Sequence, residues 1–133
     1  PGDRKANRKK NAIQWMINEL KADRDVKMYD NGSHCRDIMH VDDVCRAIKL
    51  VMDAGNYNET YNIGSGKPTS VSEIMTLAKM FTRSRGELLN MEPPEFHKNV
   101  QTQNFWLDTS KLTLLGFTQH ITNEFLVKDL CIT

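Results

Sequence analysis

Cysteine is scarce: Cys35, Cys45 and Cys131 are odd in number and none is set in C-x-x-C spacing, which argues against both a disulfide framework and a zinc site. Cys45 falls on the apolar side of a helical pattern and is expected as a small core residue. The chain also lacks a long charge-free apolar run and a signal-type hydrophobic region, so no membrane partner is expected. With the cysteine pattern, this points to a soluble protein of the cytoplasm. Charge of one sign is missing as well: 18 Lys and Arg balance 17 Asp and Glu, for a net charge of +1 that gives no field for nucleic acid or membrane. The one basic cluster, Arg4, Lys5, Arg8, Lys9 and Lys10, has no aromatic interleaving and is read as a solvated first helical turn rather than a nucleic-acid site. His34, His40, His97 and His120 have no serine or cysteine partner in a recognisable motif, and His40 reads as a packed or pairing residue rather than a base. No acidic or histidine cluster has metal-ligand spacing, so neither a catalytic set nor a metal is assigned.

What is present is an ordinary globular composition, 39% hydrophobic and 26% charged in 133 residues, enough for one domain or a piece of one. The opening PGDR has no initiator Met, as if cut from something longer. Ala12, Ile13, Met16, Ile17 and Leu20 recur at helical spacing and predict an amphipathic helix from about Asn7 to Ala22. Val26 to Tyr29 reads as a strand, Asp30-Asn31-Gly32 as a tight hairpin turn, and Cys35 to Val41 as the returning strand. Asp42 or Asp43 then caps a helix whose stripe is Val44, Ala47, Ile48, Val51 and Met52, stopped by Gly55.

A short strand from Thr60 to Ile63 follows, ending at Gly64-Ser65-Gly66, and Ser70 with Glu73 makes a capping box for a helix over about 71–83. Leu88 to Met91 is a strand closed by Pro93-Pro94, and Asn104 to Leu107 is extended. Asp108 caps a helix through Lys111, Leu112 and Leu115, and Thr122 a last one with Phe125, Leu126 and Leu130 inward. The alternation is mixed α/β, with too few consecutive strands for a self-sufficient parallel sheet.

Arg36 follows the turn on an apolar segment, with Asp37, Asp42 and Asp43 close behind. Such an arginine either pairs internally with one of those carboxylates or presents a planar, always-charged fork to phosphate oxygens, and spacing alone leaves both open. Three separate stretches, NGSHCRDIMHVDDVCRAI, YNIGSGKPTSVSEI and LDTSKLTLLGF, resemble in that order the C-terminal half of the extended short-chain dehydrogenases, the NAD-dependent nucleotide-sugar epimerases and dehydratases.

The resemblance covers nearly all of the chain. It implies an α/β fold of mixed helices and short strands, with residues 1–133 a single partial domain. This would be the C-terminal, substrate-binding portion of an extended Rossmann-type enzyme without its N-terminal dinucleotide-binding part. It further implies that Arg36 contacts the diphosphate of a nucleotide sugar, that Asn11 lies where the family contacts the nucleotide, and that Asp42 and Asp43 start a helix. The family's second arginine has no match in PPEFHKNVQTQNFWLD, where His97 and Lys98 are the nearby basic residues; Lys98 is the candidate, against the alternative of a solvated loop cation. Only Gly64 and Gly66 are in register with G-x-G-x-x-G, so YNIGSG is no phosphate loop, and no Tyr-x-x-x-Lys occurs.

The family's chemistry implies NAD or NADP for a full-length parent: the cofactor takes a hydride while a tyrosine removes a proton, both upstream of this stretch. No catalytic or cofactor-binding residue is therefore expected here. The chain alone should be inactive, holding a nucleotide sugar and associating either with a missing Rossmann half or with itself. Two alternatives belong to other classes: a stand-alone nucleotide-sugar binding module, or a structural subunit that completes a separately encoded Rossmann partner.

Overall fold

The computed structural model describes residues 11–100 and 103–133. The basic cluster and the first residues of the helix expected from Asn7 lie outside the described residues. Helix α1 (Ala12–Lys21) is capped by Asn11, whose Oδ1 accepts the Gln14 N–H at 3.1 Å and so satisfies one of the amides a first turn leaves free. Gln14, Ile17 and Leu20, three apart, form its buried face.

Strand β1 (Val26–Tyr29) alternates as a half-buried strand should, with Val26 and Met28 inward and Lys27 outward. The expected hairpin does not follow. Asp30–Gly32 forms a 3-10 turn in which Asp30, Asn31 and Gly32 all have positive φ, at 49°, 55° and 73°. A two-residue hairpin loop uses two such residues, and the third carries the chain away from the β1 edge. Glycine is needed at position 32 for space too, because a Cβ there would lie 2.8 Å from Ser72 N and 2.9 Å from Met28 Sδ.

Two short sheets result. Strand β2 (Cys35–Arg36) pairs antiparallel with β3 (Thr69–Ser70), while β1 pairs in parallel with β4 (Leu88–Met91), Val26 opposite Leu88. The strand read as Cys35 to Val41 thus stops at Arg36, and α2 (Val41–Ala54) starts earlier than expected, capped by His40 in place of Asp42 or Asp43. The α2 stripe also turns out differently. Asp43 and Ala47 are its buried residues, Ile48 and Met52 are 45% and 80% exposed, and Cys45 is exposed. Cys45 lies two residues from both Asp43 and Ala47, roughly 200° around the helix from each, which is why it cannot share their face. Thr60 to Ile63 forms no ladder among the described residues, since no neighbouring strand lies beside it to pair with.

Helix α3 (Val71–Thr82) begins as expected, with Ser70 Oγ accepting the Glu73 N–H at 3.1 Å. Helix α4 (Glu95–Val100), directly after the two prolines, was not anticipated; Pro94 O accepts the Lys98 N–H at 3.0 Å, and proline suits a helix start because first-turn amides have no partner to lose. Helix α5 (Ser110–Leu114) is short, with Asp108 Oδ1 accepting the Ser110 N–H at 2.9 Å. Helix α6 (Asn123–Ile132) is capped by Thr122; Leu126 and Val127 point inward, but Phe125 is 57% exposed rather than buried.

The core lies where α1, α3 and α6 pack together over β1. Ile17, Leu20, Val26, Met28, Ile74, Met75, Ala78, Leu126 and Val127 form it, each large side chain contributing about 1.5–3 kcal/mol by burial. Among the described residues, no helix is long and apolar enough to cross a membrane. Met75 is fully buried in α3, so Met75→Ala should lower stability by about 2–5 kcal/mol in urea denaturation. Met52→Ala on the exposed face of α2 should change it by less than about 0.5 kcal/mol.

Candidate functional site

Asp37 is the fixed point of the segment between β2 and α2. Its Oδ1 accepts the Ser65 backbone N–H and the Ser65 hydroxyl, both at 2.7 Å, and its Oδ2 accepts the Gly66 N–H at 3.0 Å and the Leu107 N–H at 3.1 Å. Burial pushes the Asp37 carboxyl up, but the Ser65 hydroxyl and the Ser65, Leu107 and Gly66 amides outweigh it and hold the group below its ordinary range. Gly64 makes the approach possible: a Cβ there would lie 2.7 Å from Asp37 Oδ2. The YNIGSG turn therefore directs its amides at the protein's own carboxylate.

Asp43 does similar work on the other side. Fully buried, it accepts from Arg46 Nη1 and from the His120 and Ile121 backbone N–H groups, the latter at 3.1 and 2.8 Å. Arg46 also donates to Thr118 O at 3.1 Å and lies 5.3 Å from the centre of the Phe117 ring. The Asp42 side chain is 74% exposed, so the adjacent acids diverge as a helix start requires.

With Asp37 and Asp43 each engaged elsewhere, the internal ion pair open to Arg36 does not form. Arg36 Nη1 instead donates to Cys35 O at 2.8 Å and Gln103 O at 2.9 Å, and among the described residues no carboxylate forms a salt bridge with it. Gln103 is brought there because the following residues run beside β2: Asn104 bridges Cys35 in parallel, and Phe105 N–H donates to Cys35 O at 3.1 Å. Gln103 in turn lines a cleft of about 230 Å³ with Asp30, His34, Glu92, His97 and Lys98. In that cleft His34 Nε2 lies 2.7 Å from Asp30 Oδ2, Lys98 Nζ 3.3 Å from Glu92 Oε2, and the His97 ring 5.6 Å from that of Tyr29.

Of the residues singled out in the sequence, Arg36 donates to the Gln103 carbonyl, and Lys98 lines the same cleft as Gln103. Lys98 sits on α4 rather than in a loop and pairs with Glu92 on an exposed surface. Asn11 is elsewhere: it caps α1 and lines a different cleft, of about 450 Å³, together with Asp37 and His40. Asp37 itself was missed: its donors, Ser65, Gly66 and Leu107, are distant in sequence, so no local pattern marks the carboxylate.

The Ser65 and Gly66 amides already donate to Asp37, so this turn does not offer them to a pyrophosphate. Among the described residues, no group of three or more His, Cys, Asp and Glu side chains is placed to hold a metal ion.

A carboxyl whose pKa is lowered on folding contributes stability that is present above its unfolded value, about 3.9, and lost as pH falls through its folded value. Asp37→Asn should therefore destabilise the fold at neutral pH, on the order of 2 kcal/mol, since three N–H donors and a hydroxyl lose an ionised acceptor. Urea denaturation at decreasing pH should show the gap between variant and wild type closing below about pH 4.

Residues 1–64 match the model of the NAD dependent epimerase/dehydratase family. A dTDP-glucose 4,6-dehydratase of Streptomyces niveus is 34% identical over 97 residues, which is 72% of this chain and 28% of the dehydratase. GDP-L-fucose synthase 1 of Arabidopsis thaliana is 28% identical over 130 residues, 90% of this chain and 39% of the synthase. Among solved structures, UDP-glucose 4-epimerase from Thermotoga maritima, crystallised with UDP-glucose, superposes with a TM-score of 0.78 at 27% identity, over 92% of this chain and 38% of the epimerase. The chain spans about a third of the length of the curated relatives it matches. Three ordered motifs, a shared fold and these matches make the chain a relative of the NAD-dependent nucleotide-sugar epimerases and dehydratases, its mixed α/β fold corresponding to part of an extended short-chain dehydrogenase.

Proposed function

We propose that this chain is the substrate-holding portion of an NAD- or NADP-dependent nucleotide-sugar epimerase or dehydratase, and that Arg36 grips the diphosphate. One observation carries the reading: the Arg36 guanidinium is fixed through Nη1 by two carbonyl oxygens, while no described carboxylate neutralises it. A fixed, uncompensated guanidinium is suited to a bidentate phosphate contact. Lys98, its charge shared with Glu92 at the rim of the adjoining cleft, is the second cation of the site. Asn11 caps α1 through Oδ1 and lines the neighbouring cleft of about 450 Å³, where it is the candidate contact to the nucleotide.

Within such an enzyme the residues of this chain bind and orient; the cofactor, when bound by the parent's dinucleotide half, supplies the hydride chemistry. The dinucleotide half is also the partner that the outer face of α2 fits. Val41, Ile48 and Met52 are 44%, 45% and 80% exposed there, and residues 60–63 form no ladder among the described residues. The cytoplasmic setting inferred from the cysteine pattern belongs to the same reading.

Calorimetry with UDP as the probe should show binding by the chain that weakens about tenfold or more in Arg36→Ala, the equivalent of a charge-assisted hydrogen bond. Equal affinity of the two proteins, or binding by neither, contradicts the assignment. Sedimentation of the isolated chain should reveal concentration-dependent self-association through the uncovered α2 face, reduced by Met52→Glu; a stable monomer at high concentration counts against that face as an interface.

A further inference from the structure

His40 is engaged at both ring nitrogens. It is 9% exposed and stands between the start of α2 and the end of α6. Nδ1 accepts the Asp42 backbone N–H at 3.2 Å, and because an N–H can only donate, the ring proton must sit on Nε2. Nε2 faces Asp129 Oδ2 at 3.4 Å, an oxygen that accepts. Both contacts thus select the same neutral tautomer, and the Phe125 ring, edge-on with centroids 6.2 Å apart, limits the ring's rotation.

The other side-chain caps in this chain, Asn11, Ser70 and Thr122, use amide or hydroxyl oxygens that do not titrate. Among the described side-chain caps, only that of α2 uses an imidazole nitrogen as its acceptor. Among the described residues, the charged groups around it are acidic. Asp42, on its own helix, has Oδ2 3.7 Å from Nδ1; Asp129 comes from α6; and Asp37 lines the same cleft. From α1 come the neutral Asn11 and Gln14 and from α3 the apolar Ile74, and among the described residues lining the cleft none is Lys or Arg.

We propose that His40 is a protonation-sensitive joint: neutral, its ring caps α2 and ties it to α6; protonated at Nδ1 from solvent, it releases the Asp42 amide and turns its new N–H toward the Asp42 carboxylate. That carboxylate is exposed and close enough to be reached by a side-chain rotation. Acid therefore exchanges a helix cap for an ion pair and loosens the first turn of α2, the stretch held between the Asp37 and Asp43 anchors. The proposal does not depend on what the chain binds.

The test is nuclear magnetic resonance on the whole chain from about pH 8 to about pH 5, either side of the usual imidazole range near 6.5. At the upper end the His40 ring nitrogens should report the Nε2–H tautomer. As the ring titrates, hydrogen-exchange protection of the Asp42 amide, corrected for intrinsic rate, should fall several-fold, while the hydroxyl-capped amides of Glu73 and Phe125 keep theirs. His40→Asn, which keeps an acceptor that does not titrate, should hold Asp42 protection constant with pH. An Nδ1–H tautomer at pH 8 overturns the proposal, as does Asp42 protection that ignores the ring's titration or a His40→Asn protein that loses it with the same pH dependence.

Discussion

Four hydrogen bonds converge on the Asp37 carboxylate, and through them segments far apart in sequence become one surface. The Ser65–Gly66 turn and the backbone at Leu107 both depend on this one acceptor. Take the charge away and three amides and a hydroxyl face a weaker partner, while the Gly64 backbone loses the reason for its close approach. The arrangement also frees Arg36: its neighbour in sequence is fully occupied, so the guanidinium turns to the carbonyls of Cys35 and Gln103 and keeps its charge. An adjacent Arg-Asp pair that looks self-neutralising in sequence is, in space, a clamp and a cation that forms no salt bridge among the described residues.

Asp43 repeats the principle at the start of α2, binding the 118–121 loop where Asp37 binds the 65–66 turn. The segment from Arg36 to Asp43 is thus pinned at both ends by buried or half-buried carboxylates, with His40 between them joined to α6. Three anchors in seven residues leave little freedom to the backbone that presents Arg36. This rigidity is what a positioning role requires, since holding a substrate in place lowers a barrier only if the holder does not itself move.

Elements whose pattern is local were legible from the sequence: α1, β1, α3, β4 and α6 carry apolar periodicity or side-chain caps, and those signals act within a few residues. What was not legible depended on distant partners. The Asp30-Asn31-Gly32 signal announced left-handed backbone correctly but not which sheet each flanking strand would join. The predicted strand at 60–63 has the residues for a ladder and no neighbour to form one, and the predicted α2 stripe includes Ile48 and Met52, which this chain does not cover. Within the site, Arg36 was named by resemblance and Lys98 as a stand-in for an arginine the sequence does not match, whereas the roles of Asp37 and His40 rest on tertiary contacts that no spacing rule encodes.

The central claim is that the surface braced by Asp37 presents Arg36 to a nucleoside diphosphate. Nitrogen chemical-shift mapping of the whole chain during titration with UDP tests it most directly. The account predicts that the Arg36 side chain and the amides of Gln103 and Lys98 shift together along one saturable curve, with the Asp37-bound amides of Ser65 and Gly66 responding less. Shifts confined to the open face around Trp106 and Leu114, or an Arg36 signal unmoved at saturation, would contradict it.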